Sequence, residues 1–164
     1  MNQKKAIIRL FSVLTALWLA GCSAIDCPMN NMVHTQFAFK GEVSTLTDTL
    51  SVWAVRQNGT DTVLFNRGVN ISTLSIPISY QQEEDMLVFH FTNPTTKVST
   101  NDTIYIKKEN TPHFESADCP PTFFHKLTEV SCTHHLLDDV VLNETEVDYD
   151  ATKQHIFIYY RPGD

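Results

Sequence analysis

Apolar and polar positions alternate along this chain with a period of two, in short stretches separated by turn-forming residues. That is the signature of strands with one buried face. Val33, Thr35, Phe37 and Phe39 alternate with His34, Gln36, Ala38 and Lys40. Strands are predicted next over residues 49–56 and 62–66, joined by Gln57-Asn58-Gly59-Thr60-Asp61, where Asn-Gly is a strong hairpin signal. Leu74, Ile76, Ile78 and Tyr80 alternate again, and Pro77 among them demotes this strand to an edge or a bulge, because proline cannot donate to a ladder. Leu87, Phe89 and Phe91 form the cleanest inward face, opposed by Met86, Val88, His90 and Thr92, and Ile104 with Ile106 marks a further strand.

Residues 93–101 are polar, contain one proline and read as a surface loop. Beyond them, strands are predicted over residues 114–119, 123–133, 140–142, 146–149 and 155–160. Residues 123–130 carry a second reading as a short helix after Pro120-Pro121, since Phe123, Leu127 and Val130 would share one helical face; the strand is preferred. Strands at short spacing without helical crossovers predict an all-β fold, a single antiparallel, immunoglobulin-like β-sandwich of about eight to ten strands.

The N-terminus breaks this pattern. Lys4, Lys5 and Arg9 lead into an apolar run ending in Leu19-Ala20-Gly21-Cys22, which resembles a bacterial lipobox. The apolar core is shorter than the about 20 residues that a membrane span needs. The expectation is a signal peptide over residues 1–21, cleavage before Cys22 with acylation of its thiol, a lipidated tether over 22–32 and the sandwich over 33–164. Ser23, Ala24 and Ile25 follow, and the first acid is Asp26, so nothing resembles the acidic surface-export signal of Bacteroidetes lipoproteins. The expected location is therefore the outer membrane, on its periplasmic face.

Removing 21 residues from 164 leaves 143, enough for one domain with a sizeable core. The leader takes three of the 12 basic residues and none of the 19 acids, so the mature chain has nine bases against 19 acids and a net charge of −10. This argues against nucleic acid as a partner, because binding phosphates requires a basic face. With Cys22 committed to lipid, Cys27, Cys119 and Cys132 remain, and an exported chain meets an oxidising compartment. A Cys27–Cys119 disulfide is expected, with Cys119–Cys132 as the competitor. Cys132 could instead be a catalytic thiol served by His134 at i,i+2; a semi-buried free cysteine is preferred.

Asp48-Thr49-Leu50, Asp61-Thr62-Val63 and Asp102-Thr103-Ile104 echo one another at strand entries. Turn punctuation explains them. Each also resembles the Asp-Ser/Thr-apolar acceptor of the general O-glycosylation system of Bacteroidetes, which makes Thr49, Thr62 and Thr103 glycosylation candidates. Asn-X-Ser/Thr triplets at Asn58, Asn70, Asn101 and Asn143 would matter in a eukaryotic secretory path, and the lipobox makes them incidental.

Several stretches together carry a wider resemblance: the lipobox, Asp26-Cys27-Pro28-Met29-Asn30-Asn31, Phe114-Glu115-Ser116, Asp118-Cys119-Pro120, Phe123-Phe124-His125 and the ending over residues 147–160. In these the chain resembles small Bacteroidetes outer-membrane lipoproteins of unknown function. The resemblance implies export, lipidation and a β-rich domain, and it transfers no catalytic or ligand residue.

Seven histidines invite a metal site, especially His134-His135 near Cys132 and His125, yet adjacent strand residues point to opposite faces, so His134 and His135 could not ligate one ion from a regular strand. No Cys or His pair has structural-zinc spacing. Glu144, Glu146, Asp148 and Asp150, at i,i+2 spacing along one predicted strand face, are calcium candidates. They are read instead as solvated charge on an edge strand, with no metal and no cofactor. A Gly-x-Ser-x-Gly elbow, a phosphate-cradling loop and His-Glu-x-x-His are all missing from the sequence. The expected function is that of a lipid-anchored, non-enzymatic envelope β-domain. It would hold the membrane through Cys22 and bind or support another envelope protein or a glycan. The alternatives are a surface carbohydrate-binding or adhesin-like module and a small hydrolase.

Overall fold

The computed structural model describes Cys27, residues 32–56 and residues 59–161. The expected signal peptide and Cys22 lie outside the described residues. Ten strands follow one another: β1 (His34–Lys40), β2 (Thr49–Val55), β3 (Thr62–Gly68), β4 (Thr73–Pro77), β5 (Glu84–Thr92), β6 (Ser99–His113), β7 (Thr122–Cys132), β8 (Leu137–Leu142), β9 (Glu146–Val147) and β10 (Ile156–Tyr160). They build two sheets, ordered β4-β1-β10-β8 and β3-β2-β5-β6-β7-β9. The fold is all-β and its architecture is a sandwich. The immunoglobulin-like expectation holds as two packed sheets of mostly antiparallel strands, with one departure: β1 and β10 run parallel, Phe37 opposite Ile156. The first and last strands are thereby neighbours, and the sheet is closed in the middle by the two chain ends.

The inward rows are those that alternation marks. Phe37, Leu50, Val52, Leu87, Phe89, Phe91, Ile156 and Ile158 are all buried in one core. Phe37 of one sheet meets Phe89 of the other at 5.9 Å between ring centroids, and Phe91 meets Tyr160 at 5.2 Å. Each such buried aromatic or aliphatic side chain contributes about 1.5–3 kcal/mol relative to exposure. The β2–β3 hairpin forms as the Asn-Gly signal predicts. Pro77 ends β4, and β4 is an edge strand, where a missing N–H costs least.

Several boundaries differ from expectation: β8 begins at Leu137 and not at residue 140, and the alternation read through Tyr80 ends as a strand at Pro77. Residues 114–119 form a loop, because the segment must turn sharply to bring Cys119 to Cys27. The loop predicted over 93–101 shrinks, since Ser99, Thr100 and Asn101 already pair with Thr92, Phe91 and His90. The strand expected over 146–149 stops at Val147.

In β7 the pairing shifts between Lys107–Glu129 and Lys108–Leu127, leaving one extra residue on β7. A bulge of this kind reverses the alternation. Leu127 on one side of it and Val130 and Cys132 on the other consequently all pack on the core. The spacing that suggested a helix over 123–130 is the imprint of this bulge.

Candidate functional site

One strand carries charge into both ends of the core. The inward row of β6 reads Asp102, Ile104, Ile106, Lys108, and all four are buried. Lys108 caps the apolar row at one end of the sandwich and Asp102 at the other.

At the Lys108 end, Lys108 Nζ donates to Asp85 Oδ2 at 2.5 Å and to the Gln82 carbonyl at 2.9 Å. Both side chains are buried. Burial pushes the Asp85 carboxyl above its ordinary range, against the pull of the Lys108 ammonium and the Ser79 amide. The network continues through Asn110, which donates to the carbonyls of Tyr80 and Gln82, and through His125 Nδ1, 2.7 Å from Asn110 Oδ1. Burial and the Lys108 charge hold His125 down to about 4, so its ring is neutral at physiological pH. These bonds fasten residues 79–82 onto β5, β6 and β7.

Beside this fastened loop lies a groove of about 560 Å³ between the edge strands β3 and β4. Met32, Leu64, Ile78 and Leu87 give it apolar walls, and Tyr80 and Asp85 reach it from the loop and β5. Its size falls in the range of small-ligand sites, roughly 300–1,000 Å³. Arg56 brings a basic side chain to the same groove, and its charge also acts on Asp85. The groove can thus take an elongated apolar group with a polar or anionic end.

The same end carries an aromatic cluster. Tyr80 stacks on Phe123 at 4.7 Å, His113 stacks on Phe124 at 4.3 Å, and Tyr149 meets Phe124 edge-on at 5.1 Å. Phe114, Tyr80 and Tyr149 remain substantially exposed. Cys119, in the loop that follows Phe114, is joined to Cys27 in a disulfide, the pairing the sequence favoured over Cys119–Cys132.

At the Asp102 end every acceptor is taken up by the fold. The Asp102 carboxylate accepts from the amides of His135, Leu136 and Leu137 at 2.7–2.9 Å and from the Thr133 hydroxyl at 2.6 Å. Burial alone would raise its pKa, but these donors outweigh it and lower the value. The side chain closes the β7–β8 turn. His135 Nδ1 lies 3.0 Å from the same carboxylate, with its ring mostly exposed.

Cys132 and His134 do come together, Sγ to Nδ1 at 3.8 Å. The electrostatics oppose a nucleophile. Burial, then Asp102, Asp139 and Asp138, push the thiol up to about 11. A reactive cysteine needs the opposite surroundings.

The four acids do not share a strand face, which corrects the sequence reading. Only Glu146 lies in β9; Glu144 precedes it, and Asp148 and Asp150 belong to the bend beyond. There Asp148 is bound by Lys153 at 2.6 Å, and Asp150 accepts from Thr152. Backbone needs explain this: the chain must turn from β9 into β10, and Asp side chains stabilise such turns. Among the described residues no group of three or more Cys, His, Asp or Glu gathers at metal-binding distance.

Thr49 and Thr62 open β2 and β3, and Thr103 sits within β6; all three are half-buried. Their aspartates differ. Asp48 accepts from Tyr160 at 2.8 Å, Asp102 is the turn anchor, and Asp61 is exposed.

Sequence reasoning missed Asp85, Lys108 and His155, and it gave His125 and Asp102 no part in these networks. His155 is wholly buried, its Nδ1 accepting from the Gln36 amide at 2.9 Å while Nε2 faces the Glu146 carbonyl at 3.2 Å. The signal existed for Asp102 and Lys108: extending the Ile104–Ile106 alternation by one step each way reaches both.

The model of a family of unknown function, DUF6452, matches residues 49–160. That stretch runs from β2 through β10 and includes the groove loop, the β6 row and Cys119. No curated protein and no solved structure matches the chain.

Proposed function

The chain belongs to this family of unknown function, and on that premise we propose that it is a lipid-anchored, non-enzymatic domain of the bacterial envelope that binds or supports another envelope component through its groove end. The anchor is the acylated Cys22, and the location is the outer membrane, facing the periplasm. The observation that carries this reading is the Cys27–Cys119 disulfide. It fits an oxidising compartment. It also fastens the residues just after the lipobox to the folded domain, and closing a loop of 92 residues stabilises the fold by about 4–5 kcal/mol on the chain-entropy model.

A binding role is supported by how the polar groups are used. Asp85, Lys108, Asn110 and His125 bond one another or backbone carbonyls, and the Cys132 thiol is held protonated. They shape a surface, and the groove beside them is apolar with a basic rim.

Replacement of Cys22 tests the anchor and the partner together. Cys22→Ser should move the domain from the membrane fraction to the soluble fraction. Cross-linking in membranes should recover an envelope partner with the wild-type chain and lose it with the variant. An unchanged membrane fraction for Cys22→Ser would overturn the reading.

A further inference from the structure

The aromatic cluster and the disulfide occupy the same end of the sandwich. Phe114 is the residue after His113, whose ring stacks on Phe124, and Phe124 meets Tyr149. The neighbouring Phe123 stacks on Tyr80 and pairs through its backbone with Met32. Phe114 is 61% exposed, Met32 56%, Tyr80 53% and Tyr149 46%, and they gather at the tip of the β6–β7 hairpin, Tyr80 with Phe123 on one face of β7 and Tyr149 with Phe124 on the other. An isolated exposed apolar residue needs no explanation, but several gathered at one hairpin tip mark a contact surface.

The length of chain between lipid and disulfide says what covers this surface. Cys27 is bonded to Cys119 inside the loop that begins at Phe114. From Cys22 to Cys27 there are five residue steps, which span at most about 17 Å when fully extended. Residues 114–124 contain no Lys or Arg and include Glu115 and Asp118. Attraction to anionic headgroups therefore does not hold the face to a bilayer. Aromatic side chains favour the membrane–water interface without such charge.

We propose that this end of the domain faces the bilayer, with Phe114 and Tyr149 seated in the phospholipid headgroup layer, so that a partner met through the adjacent groove is one held in the same membrane. The proposal rests on the acylation of Cys22. The short tether keeps the surface at high effective concentration against the membrane, so that weak aromatic contacts suffice to fix the orientation. The opposite end, with the 93–98 loop, then points away from the membrane. Val98 marks it, separated from Phe114 by the length of β6, roughly 45 Å at the usual rise of a strand.

The test uses the full chain, processed in a bacterial host and reconstituted in vesicles of phosphatidylethanolamine and phosphatidylglycerol containing phosphatidylcholine with brominated acyl chains. Phe114→Trp and Val98→Trp place a reporter at each end, and Trp53 gives the same background in both. The expected result is blue-shifted emission with marked loss to the brominated lipid for Phe114→Trp, and unchanged emission for Val98→Trp. Acylated protein that floats with the vesicles but shows no loss at Phe114→Trp overturns the orientation while leaving the anchor intact. Protein that carries no acyl mass and does not float overturns the anchor and the orientation with it.

Discussion

Asp102 and Lys108 lie on the same inward face of one strand, and the two ends of the sandwich they cap are solved in different ways. Asp102 meets donors that carry no formal charge, three amides and a hydroxyl, and its pKa falls despite its burial. Asp85 is buried beside the Lys108 ammonium, and burial raises its pKa although that ammonium pulls it down. Preorganised amides satisfy a buried carboxylate because the turn that supplies them is already ordered, whereas an ion pair must remove two ions from water to form. The first arrangement seals its end of the sandwich core. The second fastens a loop and leaves a groove and an aromatic hairpin tip beside it.

The largest effect comes from breaking the sealed end. Asp102→Ala strips three backbone amides and a hydroxyl of their acceptor, and buried donors left unpaired cost about 1–3 kcal/mol each. With partial rehydration of the turn, a loss of about 4 kcal/mol is expected. It should appear in thermal unfolding as a fall of about 10 °C for a domain of this size. A change below about 1 kcal/mol would show that the turn closes without the carboxylate.

A pH scan separates the ends next. His125, at the groove end, has an ordinary value of 6.5 when unfolded and about 4 in the fold. Above pH 6.5 both states are neutral and the stability is fully present. As pH falls below 6.5 the unfolded chain takes up a proton that the fold refuses until about pH 4, so stability declines across that window. The shift is equivalent to about 3 kcal/mol. Burial lowers His155 as well, which adds in the same direction. Asp102, lowered below 3.8, loses its contribution only at more acid pH. Chemical denaturation of His125→Gln at intervals from pH 7.5 to 4 should show a flatter decline than the wild type; identical slopes would remove His125 from the account.

The smallest effect concerns Cys132, beside the sealed end. With its thiol pushed up to about 11, alkylation by iodoacetamide should be slow at pH 7 and accelerate only toward that value. Rapid modification of the folded chain at pH 7 would revive the nucleophile reading.

How much of this was legible beforehand follows from what each element depends on. The sandwich was readable because Leu87, Phe89 and Phe91 alternate cleanly, and because Asn-Gly and Pro77 fix a hairpin and an edge through local backbone preferences. The pairing of Cys27 with Cys119 was anticipated among alternatives. The loop over 114–119 was misread because Phe114 and Cys119 are apolar for reasons of exposure and cross-linking, and not because they face a core. The acids of 144–150 alternate in sequence, yet their backbone bends after Val147. Buried charges were invisible for a different reason. Nothing in a single strand states that Lys108 will find Asp85, since that pairing arises from the register of β5 against β6. The groove and the aromatic groups were likewise out of reach, because each is assembled from residues far apart in the chain.

The contrast between a sealed end and a contact end is tested most directly in the native envelope, by placing one photo-reactive residue at Leu64 in the groove or at Val98 in the 93–98 loop of the full-length chain. Illumination of intact cells should give a discrete protein adduct from Leu64 and none from Val98. Adducts from Val98 alone, equal adducts from both positions, or none from either would contradict the assignment of binding to the groove end.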